Sequence, residues 1–316
     1  MADDLCMRYL VIANPTAGRG RARRITDAVC RELRSAAASV EVLHTTRRGA
    51  AQTLAEGRLA VAPSNNGERL CVVACGGDGT IQEVVNALMN RPEAKGVLGL
   101  APSGRCNDFA SSFGIRPDPA QIARVLTGGH LRRVDIGRVN DRYYCTIAAT
   151  GFDAAVSRFV NDMKLPLRGT LAYVYGVLRV LRNYTPADLR LSFYDSTGEA
   201  AAPRNGPTLM VSSANTLSYG GKMRVAPNAS AFDGKLDICI VSPMRRLRVL
   251  RLLRSVMQGR HTELREVSFV RTPRLRIESD APHEIWADGE PIAKTPATIE
   301  IVPSAVEVLL PIESDG

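Results

Sequence analysis

Lysine is scarce in this 316-residue chain: of its 41 basic residues only Lys95, Lys164, Lys222, Lys235 and Lys294 are lysines, and the rest are arginines. Large aromatics are also sparse, with one Trp and seven Phe. That leaves little material for a base-stacking platform and argues against a nucleic-acid partner. The longest uncharged apolar stretch covers residues 169–178, about half of the roughly 20 residues that a spanning helix needs. The N-terminus carries Asp3 and Asp4 and lacks a long apolar segment, so no signal peptide is expected. The seven cysteines contain no C-x-x-C pair, and several stand in apolar runs, as reduced core thiols of a cytoplasmic protein would. His44, His130, His261 and His283 have no metal-ligand spacing and read as structural. The chain also lacks a Walker A pattern and the H-R-D loop of protein kinases, and Gly18-Arg19-Gly20 lacks the third glycine of a dinucleotide fingerprint. Internal repeats and low-complexity segments are absent. A composition of 45% hydrophobic and 23% charged residues is globular, and the length allows two domains. The net charge of +9 suits nucleic acid, anionic membranes or phosphorylated substrates, without choosing among them.

What is present is Gly76-Gly77-Asp78-Gly79-Thr80, between an apolar run at 70–75 and a helical pattern at 81–90. Glycines between a strand and a helix N-terminus let the backbone approach a phosphate, where free N–H groups and the helix dipole favour negative charge. An acid in that loop should repel phosphate unless a divalent cation lies between them. The five residues therefore suggest a metal–nucleotide site. Strands at 9–13, 40–44, 70–75 and 97–101 alternate with helices at 22–37, 49–60 and from 81 onward, and residues 63–67 form a loop. Repeated β-α units imply a parallel sheet, with ligands at the carboxyl ends of its strands. The loops starting at Asn14, Gly76 and Pro102 should then meet on one edge.

From about residue 131 the texture becomes β-rich, with runs at 134–139, 143–148, 189–194, 208–212, 236–241, 268–271 and 275–278. This reads as a sandwich, interrupted by helices near 152–163, 170–181 and 245–258. Runs at 298–302 and 306–310 fit either domain. Several motifs have structural readings of their own. Asn107-Asp108 can cap a helix, and Asp288-Gly289-Glu290 and Asp233-Gly234 can be plain turns. Asp135, an acid within an apolar strand, needs a partner. The helix at 244–257 sets Arg245, Arg248, Arg251 and Arg254 on one side and Leu247, Leu250, Leu253 and Met257 on the other. A solvated face over a core stripe is its default reading, and a membrane-surface helix the sharper one.

Taken in order, Asn14-Pro15, Gly76 to Thr80, Asn107-Asp108-Phe109-Ala110, Asp135-Ile136-Gly137, Gly151-Phe152-Asp153, Tyr219-Gly220-Gly221-Lys222-Met223, Asp233-Gly234-Lys235-Leu236 and Asp288-Gly289-Glu290 span nearly the whole chain. This set resembles the bacterial soluble diacylglycerol kinase (YegS-like) lipid kinase family. The resemblance implies an α/β nucleotide-binding domain like that of phosphofructokinase and NAD kinase over residues 1–130, to which 303–316 return. It implies a β-sandwich over 131–302, with the site in a cleft between the two. It matches Gly76, Gly77, Asp78, Gly79 and Thr80 to the ATP-phosphate loop, with Asn14, Thr45, Arg105, Asn107, Asp108 and Asp135 as further nucleotide-side residues. Asp78, Asp108 and Asp135 would organise Mg²⁺ and water. Asp288, with Glu290 beside it, matches the catalytic base. Ser230, Asp233 and Lys235 match a separate structural Mg²⁺ site, with carbonyls from the flanking pair. Two positions depart from the family: Arg105 stands where a threonine is usual, and Ala50 where an acid is common.

The implied activity is an ATP- and Mg²⁺-dependent transfer of the γ-phosphoryl group to a lipid hydroxyl, in the simplest case that of diacylglycerol to give phosphatidic acid for phospholipid biosynthesis. A sphingoid-base or other lipid kinase and an NAD kinase-like enzyme are the rival kinases. A non-catalytic, membrane-surface nucleotide-binding protein is the rival outside catalysis. The expected partners are ATP, a lipid acceptor, an anionic membrane surface met peripherally from the cytoplasm, and a second copy in a homodimer.

Overall fold

The computed structural model describes residues 7–36, 38–61, 68–163, 170–221 and 223–312, and of residues 170 and 171 the backbone alone. Asp3, Asp4, Cys6, the loop expected at 63–67, Lys164, the first residue of the 169–178 stretch and Lys222 lie outside the described residues. The chain forms two compact units, Met1–Ile136 with Pro303–Gly316, and Gly137–Val302.

The first unit opens with β1 (Met7–Ala13), α1 (Arg21–Ser35), β2 (Ser39–His44), α2 (Ala50–Leu59), β3 (Arg69–Gly76), α3 (Asp78–Asn90) and β4 (Val97–Pro102). Two more helices follow, α4 (Asp108–Ser112) and α5 (Pro119–Gly128), then β5 (His130–Val139), within which the chain passes to the second unit. β1 pairs in parallel with β2 and β3, and β3 with β4, giving the order β2-β1-β3-β4. All of β3 after its first residue is buried, as a central parallel strand covered on both faces requires. α1 buries Ala22, Ile25, Thr26, Val29, Cys30 and Leu33, a stripe at helical spacing, and leaves its arginines on the outer side. Because the four strands run the same way, their carboxyl ends share one edge, and the loops after β1, β2, β3 and β4 leave from it.

The second unit continues with β6 (Arg142–Tyr144), β7 (Ile147–Gly151), α6 (Phe152–Asp162), α7 (Thr170–Leu181), β8 (Ala187–Tyr194), β9 (Arg204–Thr208), β10 (Met210–Ala214) and β11 (Leu236–Val241). It closes with α8 (Arg246–Gln258), β12 (Val267–Thr272), β13 (Arg274–Glu278), β14 (Glu284–Ala287), β15 (Glu290–Lys294) and β16 (Ala297–Leu310). One antiparallel sheet has the order β12-β11-β10-β7-β14-β15, and β8 and β13 pair antiparallel beside the first part of β16. Leu189, Leu191, Leu275 and Ile299 from the second group pack with Val211, Ile238, Ile240 and Ile285 from the first, which is the core of a sandwich. A second core gathers under α6, α7 and α8, with Phe152, Val156, Val177 and Leu252 at its centre.

Three stretches differ from the sequence expectation. The run at 143–148 is two strands, broken at Cys145 and Thr146, whose amides turn to the Asp288 carboxylate. The run at 208–212 divides at Leu209, whose N–H donates to Val241 and whose carbonyl accepts from Phe152. The runs at 298–302 and 306–310 are one strand, β16, whose last part (Glu307, Val308) pairs in parallel with β4 in the first unit. The six described cysteines form no disulfide with one another, and five of them are buried.

Candidate nucleotide and catalytic site

In the first unit the loops after the parallel strands are tied to one another. The Asn14 amide donates to the Cys75 carbonyl at 2.9 Å, and the Thr45 amide to Ala13 at 2.9 Å. The amides of Ser103 and Gly104 both donate to the Gly76 carbonyl, at 2.8 and 3.1 Å. Asn14 turns its Oδ1 back onto the Thr16 amide and hydroxyl, at 3.1 and 2.8 Å, which fixes the first loop as an Asx turn. Arg21, just after that loop, donates to the carbonyls of Ser103 and Gly104. Its position directly after Gly20 was the only sequence signal for this role. The contact between Gly77 and Gly104 is backbone on backbone, and a Cβ on Gly104 would stand 2.4 Å from the Gly77 Cα. A side chain there would force the two loops apart.

Asp78 joins the loops. Its Oδ2 accepts the Asn107 amide at 2.9 Å and its Oδ1 the Phe109 amide at 3.4 Å. Burial pushes its carboxyl above the usual range, against the opposing pull of the Phe109, Asn107 and Asp108 amides. Asn107 takes a left-handed backbone, φ 55°, which an asparagine tolerates, and its buried Oδ1 has no hydrogen-bond partner. Thr80 and Asp108 are buried, whereas Arg19, Arg47 and Arg105 are exposed on the loops and supply positive charge along the edge. Arg105 forms no hydrogen bond or ion pair among the described residues. Among the described residues no three His, Cys, Asp or Glu side chains converge as a metal cage. The Asp135 Oδ1 accepts the Ser304 amide at 2.7 Å, holding β5 to β16. The oxygen donors that remain, Asp78, Asp108 and the unpartnered Asn107 Oδ1, suit a hydrated Mg²⁺ that keeps its waters and takes its direct ligands from phosphate.

In the second unit Asp288 and Gly289 form the two-residue turn between β14 and β15, both with positive φ (50° and 85°), the pairing that a type I′ hairpin demands. The plain-turn reading of this tripeptide therefore holds. The turn also does more: the Asp288 carboxylate accepts the Cys145 amide at 2.7 Å, the Thr146 amide at 2.9 Å and the Thr146 hydroxyl. Three donors fix the direction of this acid in a way that a surface turn does not need. Glu290 follows at the start of β15, partly buried.

Asp233 and Lys235, expected with Ser230 at a second Mg²⁺, lie together. The Asp233 carboxylate accepts the Lys235 amide at 3.0 Å on one oxygen and is ion-paired with Arg271 on the other. Arg271 also lies 3.4 Å from the buried Asp237. The Arg271 guanidinium neutralises the Asp233 charge. A buried cluster that the sequence reading missed stands at Asp153, whose Oδ1 accepts the hydroxyls of Tyr173 (2.9 Å) and Tyr219. The motifs at Gly151-Phe152-Asp153 and Tyr219-Gly220-Gly221 contained two of its members, but nothing pointed to Tyr173 or to their meeting.

Comparison with known proteins agrees with this pair of units. Residues 8–139 match the diacylglycerol kinase catalytic domain, and residues 146–310 match the YegS C-terminal NAD kinase beta sandwich-like domain. A diacylglycerol kinase of Mycobacterium tuberculosis is 32% identical over 311 residues, 96% of this chain and 95% of its own. A diacylglycerol kinase of Bacillus subtilis is 27% identical over 310 residues, 97% of each. A solved diacylglycerol kinase structure from Bacillus anthracis superposes with a TM-score of 0.69 at 20% identity, covering 96% of both chains, and so shares the fold. The two domains define a kinase that acts on lipids. The chain belongs to the diacylglycerol kinase and YegS-like lipid kinase family.

Proposed function

We propose that the protein transfers the γ-phosphoryl group of ATP to the free hydroxyl of diacylglycerol, giving phosphatidic acid, with Mg²⁺ as the cation. The observation that carries the nucleotide half is the Asp78 carboxylate tying the Gly76–Gly77 turn to the Asn107–Phe109 amides on an arginine-lined edge. The names of the relatives support the acceptor. The Gly76–Thr80 turn and Asn14 hold the phosphates, and Thr45, Arg105 and Asn107 hold the rest of the nucleotide. Asp78 holds the loop after β4 in place, Asp108 on that loop would order the metal's water shell, and the ion would supply charge neutralisation at the phosphates. Asp135 fixes the strand end behind them. Asp288 accepts the proton of the attacking hydroxyl, with Glu290 beside it.

The site assignment is tested at Gly79. A Cβ there meets nothing within 4 Å, so the space belongs to solvent or ligand. Gly79→Ala should leave stability unchanged or raise it by about 0.5–1 kcal/mol, because alanine is the better helix former. The same methyl should weaken ATP binding by about tenfold, about 1.4 kcal/mol, by holding the phosphates off the turn. Calorimetric titration with unaltered ATP affinity would place the nucleotide elsewhere.

Membrane docking is assigned to α8. Arg245, Arg246, Arg248, Arg251 and Arg254 are exposed, although Arg248 is engaged by Glu266. The inward line is not the leucine stripe expected: Val249 and Leu252 are buried, while Leu247 and Met257 are 76% and 46% exposed. No helix among the described residues is long and apolar enough to cross a membrane, so contact with the bilayer surface is the reading that fits. Each arginine near an anionic leaflet contributes about 1 kcal/mol, screened over about 8 Å at physiological salt. The protein should co-sediment with phosphatidylglycerol vesicles at low salt and be released as salt rises. A variant with Arg245, Arg248, Arg251 and Arg254 changed to Gln should lose most of that binding; equal sedimentation of both proteins would remove α8 from the contact.

A further inference from the structure

Between β6 and β7 the chain leaves its strands for two residues, Cys145 and Thr146, and this short break is bonded on both sides. In front, Thr146 donates twice to one oxygen: its amide, at 2.9 Å, and its hydroxyl both meet Oδ1 of Asp288. The Cys145 amide donates to Oδ2 at 2.7 Å. Behind, the Asn215 side-chain amide donates to the Cys145 carbonyl at 2.9 Å, and the Asn215 backbone amide to the Thr146 carbonyl at 2.8 Å. The peptide group that joins Cys145 to Thr146 is therefore held at both ends, its carbonyl by Asn215 and its N–H by Asp288. Hydrogen bonds in such a line polarise one another. Thr146 and Asn215 are both buried, so these donors stand in a fixed setting away from water.

A plain turn needs none of this. Asp288 and Gly289 close the hairpin through their own backbone angles. A buried hydroxyl does take whatever acceptor is near. Valine, however, has the branched shape of threonine and needs no acceptor, so burial alone does not call for a hydroxyl at this position. What the hydroxyl adds is chemical, because a donor on a carboxylate favours the ionised form. Other titratable groups surround the acid. Cys145 and Tyr144 are buried; burial pushes the Tyr144 phenol up, and the Asp288 charge adds to that. Glu290 opens β15. On α6, Asn161 donates to the Gly289 carbonyl at 3.3 Å, and its neighbours Arg158 and Asp162 form an ion pair at 3.9 Å. The segment behind, Ser213 to Thr216, carries no charge.

We propose that Thr146 is a positioning residue for the phosphoryl transfer: its hydroxyl holds the Asp288 carboxylate ionised and aimed, and Asn215 braces the peptide that supplies its amide. This rests on the reading of Asp288 as the base. Taking a proton from the attacking hydroxyl needs an anionic oxygen in a set direction, and small misplacements cost rate steeply.

Thr146→Val removes the hydroxyl and keeps the shape and the amide. The full chain is assayed on diacylglycerol in phosphatidylglycerol vesicles at saturating Mg²⁺-ATP. The variant should lose about tenfold in kcat with the KM for ATP unchanged. Without the hydroxyl the carboxylate takes up its proton at a higher pH, so the acid limb of the kcat profile should move up by about one pH unit. Thr146→Ser keeps the donor and should restore both. A folded Thr146→Val protein with the parent's kcat and acid limb overturns the role, and so does a Thr146→Ser protein that behaves like Thr146→Val. Where valine prevents folding, Thr146→Cys, whose thiol is a weak donor, is compared with Thr146→Ser in the same way. Asp288→Asn, run alongside, separates this role from the reading beneath it. Full turnover in Asp288→Asn rejects the base itself, whereas lost turnover there with a parent-like Thr146→Val rejects Thr146 alone.

Discussion

Asp288→Asn should lower turnover by about 10²–10⁴-fold, the usual cost of losing a general base, while ATP affinity stays unchanged. A second effect should accompany it. The carboxylate accepts from two amides and a hydroxyl, at Cys145 and Thr146, and an asparagine offers one oxygen and turns an NH₂ toward one of those donors. A buried donor left unpaired costs about 1–3 kcal/mol, so the variant should melt earlier than the parent. The two losses are separable. Thermal denaturation reports the turn, and turnover measured well below the new melting point, with saturating ATP, reports the chemistry. Full turnover in a folded Asp288→Asn protein would remove the residue from proton transfer and leave it a strand-end clamp.

Asp78→Asn should weaken nucleotide binding about 10–150-fold, and by the same factor with and without Mg²⁺. Hydrogen bonds to a charged acceptor contribute about 1.5–3 kcal/mol, which converts to that range. The reason is geometric: the carboxylate holds the Asn107 and Phe109 amides, and through them the placement of the whole loop after β4. An amide in its place turns a donor against a donor. The sequence alone gave Asp78 the metal's shell as its main task, which predicts a loss seen only when Mg²⁺ is present. Paired titrations with ATP and Mg²⁺-ATP choose between the two, and a Mg²⁺-restricted loss would return the residue to that role.

Local physics made the first unit readable. β3 is an apolar run ended by glycines, α1 carries its core residues at helical spacing, and each loop begins where a strand ends. What escaped the sequence was set by distant partners. The strand break at Cys145 and Thr146 is caused by an acid more than 140 positions later. The Arg271 that pairs with Asp233 lies 38 positions away. Asp135, the acid in an apolar strand that needed a partner, has one in the Ser304 amide, 169 positions away. On α8 the leucine spacing fitted a core stripe, but a helix with arginines all round can leave its first leucine in solvent, as Leu247 does. The hairpin at Asp288 shows the opposite case: the local signal of a tight turn was enough to read it, and the same turn sets the Asp288 carboxylate on the amides just before β7.

One measurement bears most directly on the proposed function. The protein, with γ-³²P-ATP and Mg²⁺, is offered phosphatidylglycerol vesicles containing diacylglycerol, a sphingoid base or neither, and NAD is offered in a separate reaction. The account predicts label in phosphatidic acid from the diacylglycerol vesicles, abolished by Asp288→Asn. Label in the sphingoid base or in NAD alone, or no transfer to any acceptor by a protein that binds ATP, would contradict it.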